Sequence, residues 1–210
     1  MNGEDQRRAL MRASVRHVPF DGWSECALRA GAKDIDIPVG IAAALFPGGG
    51  KDLVELHCRT ADAAAFDALA TRDLVSMRVR ERVAAAVRAR IEICAEDREA
   101  VRRAVSMFAL PGNAALAARL LYGSVDTIWR AAGDRSTDWN FYSKRGLLAG
   151  VYGSTVLFWL QDNSEDFTET WAFLDRRIAD VMKVPKAAMR IGKVLEPLRR
   201  RAFRPQIIRP

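Results

Sequence analysis

Apolar residues recur at three- and four-residue steps along most of the chain, and prolines and glycines cut that pattern into segments. No alternating strand pattern and no internal repeat interrupts it. A first helix is predicted from about Asp5 to Val18, stopping at Pro19. A second starts near Asp21, a candidate N-cap, and covers Trp23, Cys26, Ala27 and Ala30 before Gly31. A short third follows Asp36 or Ile37, with Pro38 in its first turn, and ends at Pro47-Gly48-Gly49-Gly50. Longer helices are predicted over Lys51 to Leu69, Val75 to Ala95, Arg98 to Leu110 and Ala114 to Ala132. Asp138 to Leu160, Glu165 to Met182 and Pro185 to Ala202 complete the set. The expected fold is all-α, about ten helices in one structural domain with a tail. Its parts are residues 1–50, a body over 51–184 and a basic tail over 185–210.

Three short helices followed by long ones is the layout of a helix-turn-helix module on a helical bundle. The third would be the reading helix. A DNA reader offers Arg, Lys, Asn, Gln, Ser or Thr to bases and phosphates. Ile37 to Phe46 has no side-chain donor at all, and Asp21 to Thr71 holds four basic residues against eight acids. Phosphate neutralisation dominates DNA affinity, so this surface has the wrong sign. The module is expected to be degenerate, without a nucleic-acid partner.

The net charge of +7 changes the picture only at the C-terminus. Residues 183 to 210 carry nine basic groups and one acid, Glu196, a net of +8, so the other 182 residues sum to −1. Within Pro185 to Ala202, Ile191, Val194, Leu195 and Leu198 fall at helical steps, while Lys186, Arg190 and Lys193 occupy much of the rest. That is a basic amphipathic helix, suited to an anionic membrane surface. The other readings are a terminal helix packed on the body and an RNA-attracting tail with only Phe203 to stack. Pro197 would kink or end the helix.

The longest uncharged run, Gly146 to Gln161, is 16 residues, shorter than the ~20 of a membrane span. The N-terminus shows no apolar signal segment. Cys26, Cys58 and Cys94 stand far apart, which suggests neither a disulfide framework nor zinc. The 27 Arg against 6 Lys hint at a GC-rich bacterial genome. From these features a cytoplasmic protein, peripheral on the inner face of a bacterial cytoplasmic membrane, is expected.

Catalytic motifs are missing. A di-iron bundle needs Glu-x-x-His on two helices, and His17 and His57 lack that spacing. Pro47-Gly48-Gly49-Gly50-Lys51 is not a phosphate loop and reads as a helix junction. No Gly-x-Ser-x-Gly elbow or zinc spacing is present. Neither enzymatic activity nor a cofactor or metal is expected.

Two blocks are distinctive. One holds Gly133, Asp134, Ser136, Thr137, Asp138, Asn140, Tyr142 and Arg145. The other holds Gln161, Asp162, Ser164, Asp166, Phe167, Thr170, Trp171, Phe173, Leu174 and Arg177. With His17 to Ile37 they resemble the COQ9 family of ubiquinone-biosynthesis accessory proteins, over His17 to about Leu198. The resemblance implies a TetR-like fold that has lost DNA binding, a homodimer, and an apolar cavity for an isoprenoid quinone precursor or phospholipid. It also implies a partner, the di-iron hydroxylase of ubiquinone biosynthesis, to which the greasy substrate is presented. The alternatives are a TetR-type transcriptional regulator with an apolar effector and a scaffold with a closed cavity.

Site residues follow from both lines. Leu116, Leu120, Leu121, Leu147, Leu148, Val151, Val156, Phe158 and Trp159 are candidate lipid-lining residues, although an ordinary core uses the same types. Asp138, Phe141, Tyr142 and Arg145 are candidates for docking the hydroxylase, since aromatic and Arg anchors are typical of interfaces. The same patch could instead cap a helix through Ser136, Thr137 or Asp138, with Trp139 in the core.

Overall fold

The computed structural model describes residues 3–74, 76–133 and 140–181, the side chains of 140–144 excepted. Among the described residues every regular element is helical. The predicted Asp138 N-terminus and the Pro185 to Ala202 tail, with Lys186, Arg190, Ile191, Lys193, Val194, Leu195 and Leu198, lie outside them.

The front of the molecule holds α1 (Gly3–Val15), a one-turn α2 (Val18–Asp21), α3 (Glu25–Asp34) and α4 (Val39–Leu45). Pro19 does not simply stop the first helix. It sits in the first turn of α2, where its missing N–H costs nothing. The expected cap at Asp21 gives way to Ser24, whose hydroxyl accepts the backbone N–H groups of Cys26 and Ala27. Gly31 does not end α3. A Cβ there would collide with the backbone of Ser14, so the missing side chain lets α1 and α3 pack closely.

The body follows. It comprises α5 (Gly50–Ala70), α6 (Val79–Glu92), α7 (Arg98–Phe108), α8 (Ala114–Ala131), α9 (Asn140–Trp159) and a final α10 over 168–181. At Pro47-Gly48-Gly49-Gly50 the chain turns sharply into α5. Gly49 takes a φ of 57°, and a Cβ on Gly50 would meet the Trp23 carbonyl. Turn chemistry therefore accounts for the glycines, as the sequence suggests.

Two apolar clusters result. The front cluster gathers Leu10, Val18, Ala27, Phe46, Leu53 and Val54. The body cluster gathers Val83, Val87, Ile91, Val125, Ile128 and Leu174. Helices α5 and α7 serve both regions. The Trp23 indole N–H donates to the Ala100 carbonyl of α7 at 2.9 Å, and Arg103 of α7 donates to the Pro19 carbonyl at 2.7 Å. From the same helix, Arg98 donates to the Trp159 and Asp162 carbonyls, each at 2.6 Å, and satisfies part of the C-terminal end of α9. Asp162 starts α10 by accepting the Thr170 backbone N–H and hydroxyl and the Ser164 N–H. Burial works to raise its pKa, but these hydrogen bonds win and hold it down at about 2. No single described helix is long and apolar enough to cross a membrane.

Candidate functional site: an apolar cavity with a few buried polar groups

An apolar cavity of about 290 Å³ opens between α5, α6, α7, α8 and α9. Its apolar wall is built by Val101, Val105 and Phe108 of α7, Leu120 and Leu121 of α8, and Val156 and Leu157 of α9. Leu157 is 51% exposed, so the cavity reaches the surface beside it.

Its polar groups come from buried positions. His57 and Cys58 on α5, Arg90 on α6, Cys94 just beyond it, Ser124 on α8 and Tyr152 and Trp159 on α9 all line it. Next to this wall Arg90 Nε donates to Asp62 Oδ1 at 2.5 Å, and its Nη1 donates to Cys94 Sγ at 2.9 Å. The Ser124 hydroxyl donates to the same Asp62 oxygen at 2.8 Å. Burial opposes the Arg90 charge; Tyr152, Cys94 and Asp62 around it act the other way, and near neutral pH it is the Asp62 carboxylate that pairs the charged guanidinium. Burial pushes the Cys58 thiol up to about 12 and raises Cys94 and the Tyr152 phenol as well. Neither cysteine is a thiolate near neutral pH, which leaves both poor nucleophiles. Burial, with the nearby Arg90 charge, lowers His57 to about 4, so its ring is neutral. That ring stands 5.3 Å from the Trp23 ring, and its Nδ1 is 3.9 Å from Asp97, beyond hydrogen-bond range.

Four of the nine candidate lipid-lining residues, Leu120, Leu121, Val156 and Trp159, line this cavity. The others lie elsewhere. Leu148 and Val151 are buried in the body cluster, Leu116 packs against the front cluster, and Leu147 is half-buried. Phe158 stacks on Phe173 at 4.5 Å beside a surface groove. The reason is geometric: an apolar helix such as α9 buries residues all round, and only one stripe of it meets any one void. The α7 wall and the polar lining residues were missed. One signal was readable: Arg90 stands three residues after Val87 and four before Cys94, on the apolar stripe of its helix.

Of the candidate docking residues, Asp138 and the side chains of Phe141 and Tyr142 lie outside the described residues. Arg145 is described and sits inside the molecule, 4% exposed, where Nε and Nη2 both donate to Asp126 Oδ1 of α8, at 2.9 and 2.7 Å. It ties α9 to α8 instead of presenting a guanidinium to a partner. At the front, α4 exposes Val39, Gly40, Ile41, Ala43 and Ala44, none with a side-chain donor.

A helical bundle that encloses an apolar cavity behind a short front of helices, with no side-chain donor on α4, has a TetR-like architecture. A TetR transcriptional regulator from Nitrosomonas europaea shares the fold, with a TM-score of 0.67 and 17% identity, over 85% of this chain and 98% of that one. The COQ9 family model matches residues 114–185. The ubiquinone biosynthesis protein COQ9-B, mitochondrial, of Xenopus laevis is 34% identical over 92% of this chain and 68% of its own length. The mitochondrial COQ9 of Xenopus tropicalis is 34% identical over 92% of this chain and 63% of its own, and that of Homo sapiens 32% over 93% and 63%. The chain belongs to the COQ9 family, whose members carry the name of ubiquinone biosynthesis proteins. It spans a little under two thirds of the length of several of these relatives. The expected inner face of a bacterial cytoplasmic membrane is overturned: these relatives are mitochondrial proteins of eukaryotes. Arg-for-Lys bias reflects coding composition and carries no information about compartment.

Proposed function

We propose that the chain is a lipid-binding accessory protein of ubiquinone biosynthesis, which shelters part of a polyprenylated quinone precursor and presents it to the di-iron hydroxylase. Membership of the COQ9 family supplies the pathway. The observation that carries the lipid reading is the apolar cavity with a mouth at Leu157. At about 290 Å³ it lies at the small end of the usual range for ligand pockets, roughly 300–1,000 Å³. It suits one end of a long lipid, with the rest of the chain leaving by the mouth. The inert cysteines and the paired Arg90 favour holding over chemistry, so the contribution to catalysis is indirect. Asp138, Phe141 and Tyr142 remain the proposed contacts to the hydroxylase, with Arg145 bracing the helix that carries the two aromatics. The working form is a homodimer, and the basic tail meets an anionic membrane surface. The donor-free surface of α4 speaks against a regulator that reads DNA.

Organic extraction of the purified protein followed by lipid mass spectrometry tests this. The expected result is a polyprenylated ring compound at near one per chain or per dimer. Recovery of phospholipid alone would keep the cavity as a lipid site but remove the precursor from it. A lipid-free protein that takes up no added isoprenoid would overturn the reading.

A further inference from the structure

A second hollow, distinct from the apolar cavity, runs between α1 and α5 and is bordered by the turn from α6 to α7. Its volume is about 270 Å³. Thr60, Ala61 and Ala64 lie on one face of α5, and their short side chains leave space between that helix and α1. Met11 and Val15 of α1, with Ile93 just beyond α6, supply apolar walls. Ile93 is 42% exposed, so the hollow opens to solvent beside it. The His57 ring borders both this hollow and the apolar cavity.

The charged groups here are unusual for this molecule. Arg8 and Arg12 stand four apart on α1, and Arg16 follows at the same step just past its end. Like charges at this spacing destabilise a helix. Arg8 is relieved by Glu4, 3.3 Å away and one turn before it. Arg12 and Arg16, both on the hollow, have no side-chain partner among the described residues. Elsewhere on exposed helix faces, Arg29, Arg59, Arg88 and Arg177 each have a carboxylate oxygen within 3.0 Å.

Charge and size narrow what could fill the space. Near neutral pH the His57 ring is neutral and Asp97 is the acid on the hollow, so two guanidiniums against one carboxylate leave one positive charge. A single negative charge matches that balance. A phosphate dianion would keep one charge unmatched, and a cation would be repelled. Guanidinium groups pair with the two oxygens of a carboxylate in a planar fork, and Thr60 adds a hydroxyl beside them. The apolar wall suits a hydrocarbon or ring, and a volume at the small end of ligand pockets, roughly 300–1,000 Å³, suits a compact one.

We propose that the hollow between α1 and α5 is a second ligand site, for a small organic monocarboxylate with a compact apolar body, held by Arg12 and Arg16. It is independent of what the apolar cavity holds.

The test titrates 4-fluorobenzoate, 4-fluorobenzyl alcohol and 4-fluorophenyl phosphate against the full chain, followed by fluorine NMR. The benzoate should bind about tenfold more tightly than the alcohol, the gain of a charge-assisted pair to arginine, and no more weakly than the phosphate. Replacing both arginines, Arg12→Gln with Arg16→Gln, should cut that preference to under about threefold. Alcohol binding and the urea midpoint should stay as they were, since both side chains are exposed and unpaired. Arg29→Gln, outside the hollow, should leave the preference whole. Ala64→Leu, which fills the hollow, should abolish binding of both probes. Decylbenzene added to occupy the apolar cavity should not displace the benzoate. Equal affinity for benzoate and alcohol, tighter binding of the phosphate, or displacement by decylbenzene would each overturn the inference. So would a preference that survives the double replacement or is lost equally in Arg29→Gln. Should Ala64→Leu not fold, Overhauser contacts from the bound benzoate ring to the methyl groups of Ala64 and Ile93 decide in the unaltered protein, and their absence would overturn the proposal.

Discussion

At the scale of single residues, the cavity wall makes the protein sensitive to acid at a definite place. His57 is neutral in the fold, with its pKa lowered to about 4 from an ordinary value of about 6.5. The unfolded chain therefore takes up a proton first as pH falls. The stability of burying a neutral ring is whole above about pH 6.5 and is lost as pH drops from there toward 4. Between pH 7 and pH 5 this amounts to roughly 2 kcal/mol, at about 1.4 kcal/mol per pH unit below the unfolded value. Urea denaturation at the two pH values should show that loss in the natural protein and a much smaller one in His57→Phe. Identical losses would place the titration elsewhere. The Asp162 carboxylate acts in a lower window: its contribution is present above its ordinary pKa of about 4 and disappears as pH falls toward 2.

At the scale of helices, the glycine junction before α5 offers a sharp contrast. Gly50→Ala would push a methyl group into the Trp23 carbonyl, so it should destabilise by about 1–3 kcal/mol, read as a lower urea midpoint. Gly40→Ala, in α4 with open space around it, should stabilise by about 0.5–1 kcal/mol. If Gly50→Ala proved neutral, the front and α5 would not be locked as described. Much at this scale was legible in the sequence. Of the four-residue steps Val79, Val83, Val87 and Ile91 the last three form a buried stripe, while Val79 at the start of α6 is exposed; the breaks at Pro47 and Pro111 also read through to the fold. Local pattern was weaker where distant contacts decide. Gly31 reads as a stop, yet it continues α3 because Ser14 of another helix needs its space. The cavity shows the same limit. Its lipid-facing residues were sought on α8 and α9, whereas α7 supplies a whole wall, and no periodicity tells which of several apolar stripes meets a void. Arg90 and Asp62, 28 residues apart in sequence, reveal their pairing only in three dimensions.

At the scale of the whole molecule, charge is segregated: a body near neutrality and a tail of +8. If the tail is the membrane contact, a chain truncated after Val184 should lose sedimentation with phosphatidylserine vesicles. The full chain's binding should weaken as salt rises. The truncation removes eight basic groups, which at about 1 kcal/mol each near an anionic surface give enough attraction for the difference to be plain. Undiminished binding by the truncated chain would assign membrane contact to the body. Docking of the hydroxylase is separable from this. Replacing Phe141 and Tyr142 with Ala should abolish co-purification of the hydroxylase with little change in thermal midpoint, and intact co-purification would remove those residues from the interface.

The sharing of α5 and α7 between the two apolar clusters bears on what the front of the molecule contributes to the cavity. Trp23 and Pro19 in the front grip α7 from one side, while Arg98 on the same helix holds the end of α9. The four front helices thus act as a buttress: they fix one side of the walls between which the cavity stands. The front then serves the body mechanically, and its removal would let the chamber collapse instead of merely shortening the protein.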